Sequence, residues 1–426
     1  MRIALINQTF YPDVASSGQH LADLACRLAE GGHEVTVITS RRGYDDPGKS
    51  FPKRELWQGV KIVRVRNTGF GKGAKWKRAA NFASFLASCC WQLLRLSRQD
   101  VVVAMTSPPL VSVLAGCFAR LRGAKFCYWI MDLNPDEALA AGWLAPGSFA
   151  AKWLERFSRF SLREASAVVV LDRFMQRRIL DKGIAAAKVF VIPPWSHDSE
   201  VRFDPEGRDR FRKTHGFENK FLVMYCGNHS PCHPLQTVLD AAGALSGRED
   251  VAFCFIGGGA EFRRVQQFAR DKSAAKVTCL PYQPLSELGG MLSAADLHLV
   301  VMGDPFVGIV HPCKVYNILR VGSPLLYIGP EPSHVSELLG QFNGQLPWRQ
   351  AGHGQVERVV QHILDIKAVA PQSHRGPVAT PSNLFSEETL LPRLVELLES
   401  LAAGREAKAG TAPSAEAVTR PISERR

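Results

Sequence analysis

The segment Asp304–Lys314, DPFVGIVHPCK, concentrates more usable chemistry than any other stretch of the chain. Pro312 suits the first position of a helix, because it has no amide hydrogen to leave unbonded there. The amides of Cys313 and Lys314 would then point outward at the positive end of the helix dipole, and Lys314 adds a full charge. Outward amides and a cation at one helix start make a seat for a diphosphate. The plainer alternative is a basic surface helix. Gly308 lies in the same segment, before the proline.

Two further segments have the same character. Val251–Ile256 reads as a strand and runs into Gly257, Gly258 and Gly259 before a helix. Three glycines at a strand-to-helix junction remove the side chains that would keep a phosphate away. After the apolar run Phe221–Tyr225 comes CGNHSPCH, where Gly227, Asn228, His229 and Ser230 form a loop suited to lie under phosphates. Cys226, His229, Cys232 and His233 match no common structural zinc spacing, so no metal is assigned. No D-x-D triplet occurs, which leaves a metal-held diphosphate unsupported and puts its charge on amides and Lys314.

Other loops are less specific. Ser16–Gln19 precedes a helical pattern, and Gly18 would let backbone amides approach an anion, or simply serve a turn. Asp132 and Asn134–Glu137 follow the strand Lys125–Ile130. They are placed either to meet a hydroxyl group or to cap the next helix, and both readings stand. Residues 69–73, GFGKG, imitate a dinucleotide fingerprint but do not follow the first strand of either half, so they are set aside.

The elements that must position these groups follow an α/β rhythm. Arg2–Asn7 is a buried strand, Leu21, Leu24, Ala25 and Leu28 recur at helical spacing, and Glu34–Thr39 is the next strand. Strands at Lys61–Val65, Val101–Thr106, Lys125–Ile130, Ala167–Leu171 and Val189–Ile192 complete a first half. Trp195–Lys220 reads as a linker and an entry. The rhythm restarts with strands at Phe221–Tyr225, Val251–Ile256, Val277–Leu280, Leu297–Met302 and Leu325–Ile328, and helices at Leu235–Leu245, Ala260–Arg270, Ser286–Ala294 and Pro312–Val321. This pattern predicts two Rossmann-like domains facing one cleft, spanning 1–195 and 196–380. A C-terminal helix at 381–402 and an unstructured tail at 403–426 follow.

The 426 residues allow both halves a full core, and 46% hydrophobic against 22% charged residues is a globular profile. A net charge of +12 favours an acidic partner: nucleic acid, anionic membrane or a phosphorylated compound. No zinc finger, basic zipper or RNP signature supports nucleic acid. Ten scattered cysteines without a CxxC read as reduced thiols, and neither a signal peptide nor a spanning helix is read, so a cytoplasmic location is expected. Lys72–Arg78 surrounds Trp76 with cations, and Phe82, Phe85, Leu86, Trp91, Leu93 and Leu94 follow. Phe149–Phe160 repeats the theme. Tryptophan beside Lys and Arg predicts peripheral contact with an anionic membrane through 72–94 and 149–160; the alternative is a packed core helix with a solvated basic rim.

Taken together, FYPDVASSGQHLADLACRLAEGGHEVTVIT, TSPP at Thr106–Pro109, VIPPW at Val191–Trp195, FIGGGAE, LPYQP and HPCKVYNILRVGSP resemble the retaining family-4 glycosyltransferases of the GT-B fold. The branch that is most similar makes colanic acid and O-antigen polysaccharides. The resemblance runs to about Leu401 and implies a metal-independent hexosyltransferase without cofactor. It would move a sugar from a nucleotide-sugar, a UDP-sugar by preference, to a lipid-linked or saccharide acceptor with retention. It implies a C-terminal helix crossing back to the first domain. By the same resemblance, Lys314 and the Pro312–Lys314 amides hold the diphosphate, with Lys314 and Asp132 as catalytic residues. Gly257–Gly259 lie beneath it, Tyr282 and Gln283 border the base, Asn317 faces the ribose, and Gly18 closes over the phosphate. The chain departs from the pattern in four ways. Cys313 replaces the usual Ser, Asn317 replaces a glutamate, Ile309 takes another glutamate's position, and the usual diphosphate-binding Arg and Lys are missing, with His229 and His233 as substitutes. The competing functions are a nucleotide-sugar epimerase on the same scaffold and an inactive nucleotide-sugar-binding homologue.

Overall fold

The computed structural model describes residues 1–13, 15–43, 48–70, 75–196, 201–271, 276–342, 344–369 and 382–405. The tail beyond 405, residues 71–74 of the basic cluster and 197–200 of the linker lie outside them. The chain divides into two units. Among the described residues, the first comprises Met1–Pro194, Gly308–His311 and 388–405; the second comprises Trp195–Val307 and Pro312–Glu387.

The first unit is built on β1 (Arg2–Ile6), α1 (Ser16–Glu30), β2 (Glu34–Ser40), β3 (Arg54–Trp57), β4 (Val60–Val65), α2 (Lys75–Leu94), β5 (Val101–Ala104), α3 (Val111–Arg122), β6 (Lys125–Trp129), α4 (Asp136–Ala140), α5 (Phe149–Glu164), β7 (Ala167–Val170), α6 (Arg173–Asp181) and β8 (Val189–Val191). Its sheet runs β3-β4-β2-β1-β5-β6-β7-β8, and only β3 is antiparallel. Strands such as β5 and β7 are buried along their whole length, as parallel strands covered by helices on both faces must be.

The second unit begins with α7 (Pro205–His215), inside the stretch expected as linker. Its stop and start signals are strong: Asp204 accepts from the Gly207 amide at 2.9 Å, Pro205 opens the helix, and Gly216 closes it at φ +71°. Its charged sequence lacks the apolar stripe by which helices are usually recognised. There follow β9 (Phe221–Asn228), α8 (Gln236–Ala244), β10 (Val251–Gly258), α9 (Phe262–Asp271), β11 (Val277–Leu280), α10 (Leu288–Ser293), β12 (Leu297–Val301), α11 (Lys314–Val321), β13 (Leu325–Ile328), α12 (His334–Gly340), β14 (Trp348–Ala351) and α13 (Val356–Val369). The sheet is wholly parallel in the order β11-β10-β9-β12-β13-β14, the doubly wound Rossmann order. Alternate residues of β9 serve two cores. Phe221, Val223 and Tyr225 pack with α8 and α13, while Leu222 and Met224 pack with Met291, Leu292 and Val321.

α14 (Glu387–Ala402) buries Leu390, Leu391, Leu394, Leu397, Leu398 and Leu401. From Glu388 it belongs to the first unit, where His33 Nε2 meets Glu399 Oε1 at 3.0 Å. No helix among the described residues is long and apolar enough to cross a membrane.

Candidate functional site

In the second unit the strand order reverses between β9 and β12, and ligands of open α/β sheets bind beyond strand ends at such a point. The segments leaving these strands are Gly227–His229 and the run to Lys314. β9 and β10 do not stop at Tyr225 and Ile256, as the sequence suggests; they pair through Gly227↔Gly257 and Asn228↔Gly258. Gly227 and Gly257 take φ of +133° and +134°, and a Cβ on Gly257 would collide with the Gly227 carbonyl. The glycines therefore let two strands stay in contact to their tips, rather than making a loose turn. The His229 amide donates to the Gly258 carbonyl at 2.7 Å, and a Cβ on Gly259 would strike the His229 carbonyl and the Asn228 side chain. Tyr282 covers this floor: a Cβ on Gly258 would lie 3.0 Å from its ring.

α11 begins at Lys314, not at Pro312. Val315 donates to the Pro312 carbonyl at 3.3 Å and Tyr316 to that of Cys313 at 3.2 Å, so tight i→i+3 bonds open the helix with Cys313 as cap. Pro312 thus precedes the cap instead of occupying the first helical position. Asn317 lies one turn beyond Lys314 on the same helix. Gln283 bonds locally, its Nε2 donating to the Pro281 carbonyl at 2.8 Å.

Lys314 crosses to β9. A Cβ on Gly227 would sit 3.1 Å from its Nζ, and that Nζ lies 3.6 Å from the centre of the Tyr225 ring. Lys314 as a residue is half-buried, but Nζ is shut off from solvent and has no hydrogen-bond partner among the described residues. Burial pulls its pKa down to about 7, against a smaller upward pull from Cys226 and Cys313. Without a bound anion, His229 and His233 bring no positive charge to the site. Burial, and secondarily Lys314, lowers them to about 4 and about 3, so both rings are neutral at pH 7. His233 Nδ1 meets the Val301 carbonyl at 2.8 Å.

The remaining candidates belong to the first unit. Gly18 is inside α1 rather than before it; its amide donates to the Ala15 carbonyl at 2.9 Å, and a Cβ would press on Thr9 at 3.1 Å. Asp132 does not cap α4, which starts at Asp136 without a side-chain cap. Burial, then the Glu137 charge, raises the Asp132 carboxyl to about 8. Gly308, at φ +70°, packs where a Cβ would strike the Phe174 carbonyl. The strand of chain after it is fastened: Leu133 donates to the Ile309 carbonyl at 2.9 Å, and His311 Nδ1 meets Asp172 Oδ2 at 2.8 Å.

Residues 17–195 match the family described as Glycosyl transferase 4-like domain. The chain is 25% identical over 361 residues, covering 81% of it and 87% of the relative, to the putative colanic acid biosynthesis glycosyl transferase WcaI of Escherichia coli (strain K12). The chain is thus similar to family-4-like glycosyltransferases, over residues 17–195 by the family match and over most of its length by the relative. It is also 26% identical over 247 residues to the probable glycosyltransferase WbjE of Pseudomonas aeruginosa, covering 58% of this chain and 62% of that one. Its fold is that of GT-B glycosyltransferases. A solved structure of Anabaena HepE with UDP and glucose aligns with a TM-score of 0.69 at 15% identity, covering 94% of this chain and all of that one.

One residue beside the candidate site carried no signal in the sequence, and the role of a second was not legible there. Tyr225 reads as an ordinary core residue of β9, and nothing in its spacing announces that a lysine 89 positions later rests on it. Glu137 was visible only as one of several carboxylates after β6; its electrostatic pairing with Asp132 required the fold.

Proposed function

We propose that the enzyme transfers a sugar from a nucleoside-diphosphate sugar, a UDP-sugar by preference, to a saccharide or lipid-linked acceptor in the making of a surface polysaccharide. The observation that carries this reading is the buried, unpartnered Lys314 ammonium group beneath the Gly227–Gly257 strand tips. A buried cation without a partner is costly, and a diphosphate supplies what it lacks. In this reading the Lys314 charge and the amides at the start of α11 stabilise the negative charge that grows on the leaving diphosphate. Gly257–Gly259 give it room, Tyr282 and Gln283 border the base, and Asn317 faces the ribose. The anomeric configuration is retained, with the leaving phosphate oxygen taking the proton of the acceptor hydroxyl. Catalysis is then electrostatic and calls for no enzyme nucleophile.

Asp132 stands for the acceptor side. A carboxyl raised to about 8 is largely protonated at pH 7, which suits a hydrogen-bond donor to an acceptor oxygen better than a strong base. In α1 the Gly18 amide is already bonded, so the contribution of this residue is the close packing of α1 on the Thr9–Phe10 backbone.

The first unit carries the membrane reading. Trp76 is 63% exposed, Trp91 58%, Phe149 77% and Trp153 44%. Cations accompany them, with Arg95 over the Trp91 ring at 4.2 Å and Lys77 over Trp76 at 5.7 Å. Exposed tryptophans paired with cations suit the interface of an anionic bilayer, on its cytoplasmic side, where a lipid-linked acceptor is held.

The test is release of nucleoside diphosphate from a panel of UDP- and GDP-sugars by wild type and Lys314→Ala. Turnover with at least one sugar, lost in a folded Lys314→Ala, supports the reading. Undiminished turnover in that variant overturns the role of Lys314.

A further inference from the structure

A buried lysine is ordinarily held by a carboxylate. Around Lys314 the structure offers something else. The groups that act on Nζ are the thiols of Cys226 on β9 and Cys313 at the cap of α11, and it acts in turn on the neutral rings of His229 and His233. Lys314 has no ion pair or hydrogen-bonded partner at Nζ among the described residues. The nearest electron-rich surface is the face of Tyr225, 3.6 Å from Nζ to ring centre. That ring is fixed from three sides. Tyr225 is fully buried, its hydroxyl donates to the Asn228 carbonyl at 2.8 Å, and His229 meets it edge-on at 4.9 Å.

We infer that Tyr225 is the positioning residue for Lys314. Its ring takes the place of a counter-ion, holding Nζ beside the strand tips without a compensating negative charge, so that an arriving diphosphate is the group that neutralises its ammonium form. The inference rests on the nucleotide reading above for the ligand, but its first half concerns the protein alone. A carboxylate in the same place would fix the proton and cancel the charge that the ligand needs. A ring face attracts the charged form electrostatically without cancelling its charge. The proton balance is simple. With its pKa near 7, Lys314 is part neutral at pH 7.5; the bound anion favours the charged form, and the proton comes from buffer. Affinity is then flat below about pH 7 and falls as pH rises above it.

Two measurements on the full chain test this. In the first, ¹³C-labelled lysine spectra are titrated without ligand, the Lys314 signal being assigned by its loss in Lys314→Arg. A midpoint near 7 in wild type and Tyr225→Phe, and about one unit lower in Tyr225→Leu, is expected. An ordinary lysine midpoint, or equal values in all three, overturns the inference. In the second, UDP binding is followed by calorimetry at pH 6.5, 7.5 and 8.5 in two buffers of different ionisation enthalpy. Uptake of a fraction of a proton at pH 7.5, with Tyr225→Leu losing about tenfold in affinity at pH 8.5 and little at pH 6.5, is expected. Binding without proton uptake, or an equal loss at every pH, overturns it. If UDP does not bind while the lysine titrates as expected, the nucleotide reading fails and the Tyr225–Lys314 relation stands.

Discussion

A Cβ placed on Gly227 would lie 3.1 Å from the Nζ of Lys314. A glycine on one strand tip and a lysine on a helix 87 positions later thus share the space of a single methyl group. Gly227→Ala must also hold a left-handed φ of +133°, a strain of about 1–3 kcal/mol. The variant is expected to unfold a few degrees lower and to bind UDP at least tenfold more weakly. Gly257→Ala, whose Cβ collides with the Gly227 carbonyl, is expected to be worse in both respects. Calorimetry and thermal unfolding on the pair check this ranking; unchanged affinity in both would mean that the strand tips do not form the seat.

Lys314→Met trades function for stability. The lysine pKa falls to about 7 on folding, from an ordinary value near 10.5. Below about pH 7 both states are charged and the folded state bears the full cost of burying the charge. Between 7 and 10.5 the unfolded chain holds a proton that the native one has lost, so wild-type stability rises with pH and the cost fades. Lys314→Met should therefore melt higher than wild type at pH 6.5–7, with the gap closing towards pH 10. Its transfer rate should fall about 10²–10³-fold, the usual loss when one stabilising group is removed. Thermal melts across pH, with assays on the same preparations, measure both.

The stability of Asp132→Asn should vary with pH in a different way. Folding raises this carboxyl to about 8 from an ordinary value near 3.8. Near pH 4 neither state gains from the substitution. Between about 4 and 8 the unfolded chain ionises while the native one does not, so wild-type stability falls as pH rises. The melting-point advantage of Asp132→Asn should be small at pH 4 and largest at pH 8. A constant difference across that range would show that Asp132 is not held protonated.

Binding to vesicles should depend on the exposed aromatics of α2 and α5. Replacing Trp76, Trp91 and Phe149 by Ala should abolish co-sedimentation with vesicles containing anionic lipid, leaving the melting point within a degree or two, since these side chains are largely exposed. Wild-type binding should weaken with salt. Failure of wild type to sediment at low salt would remove the membrane reading.

The doubly wound character was legible because strands buried on both faces read as continuous apolar runs. β13 was bounded to the residue at Leu325–Ile328. α12 and α13 were not read, although α13 buries Val359, Ile363 and Ile366 at helical spacing; other elements escaped because they lack an apolar signature. β3 (RELW) and β14 (WRQA) are half-exposed strands, and α7 is mostly charged. Glycine runs and HPCK pointed to the segments that the structure brings together around Lys314, because missing side chains and a proline before a lysine are visible locally. The strand extension through Gly227 and Gly257 was not, since glycine alone argues for a turn until its pairing partner is known. Nor was the neutrality of His229, which is set by burial and by Lys314, a residue 85 positions away.

The most direct test of the central claim is thermal unfolding of wild type and Lys314→Ala with UDP, GDP, ADP and NAD, each at high excess. A ligand at about 100 times its dissociation constant stabilises by ~2.7 kcal/mol, enough to raise the midpoint by roughly a degree or more. The account predicts a rise with one nucleoside diphosphate, UDP foremost, in wild type, and its loss in Lys314→Ala. No rise with any nucleoside diphosphate, or an equal rise in both proteins, would contradict it.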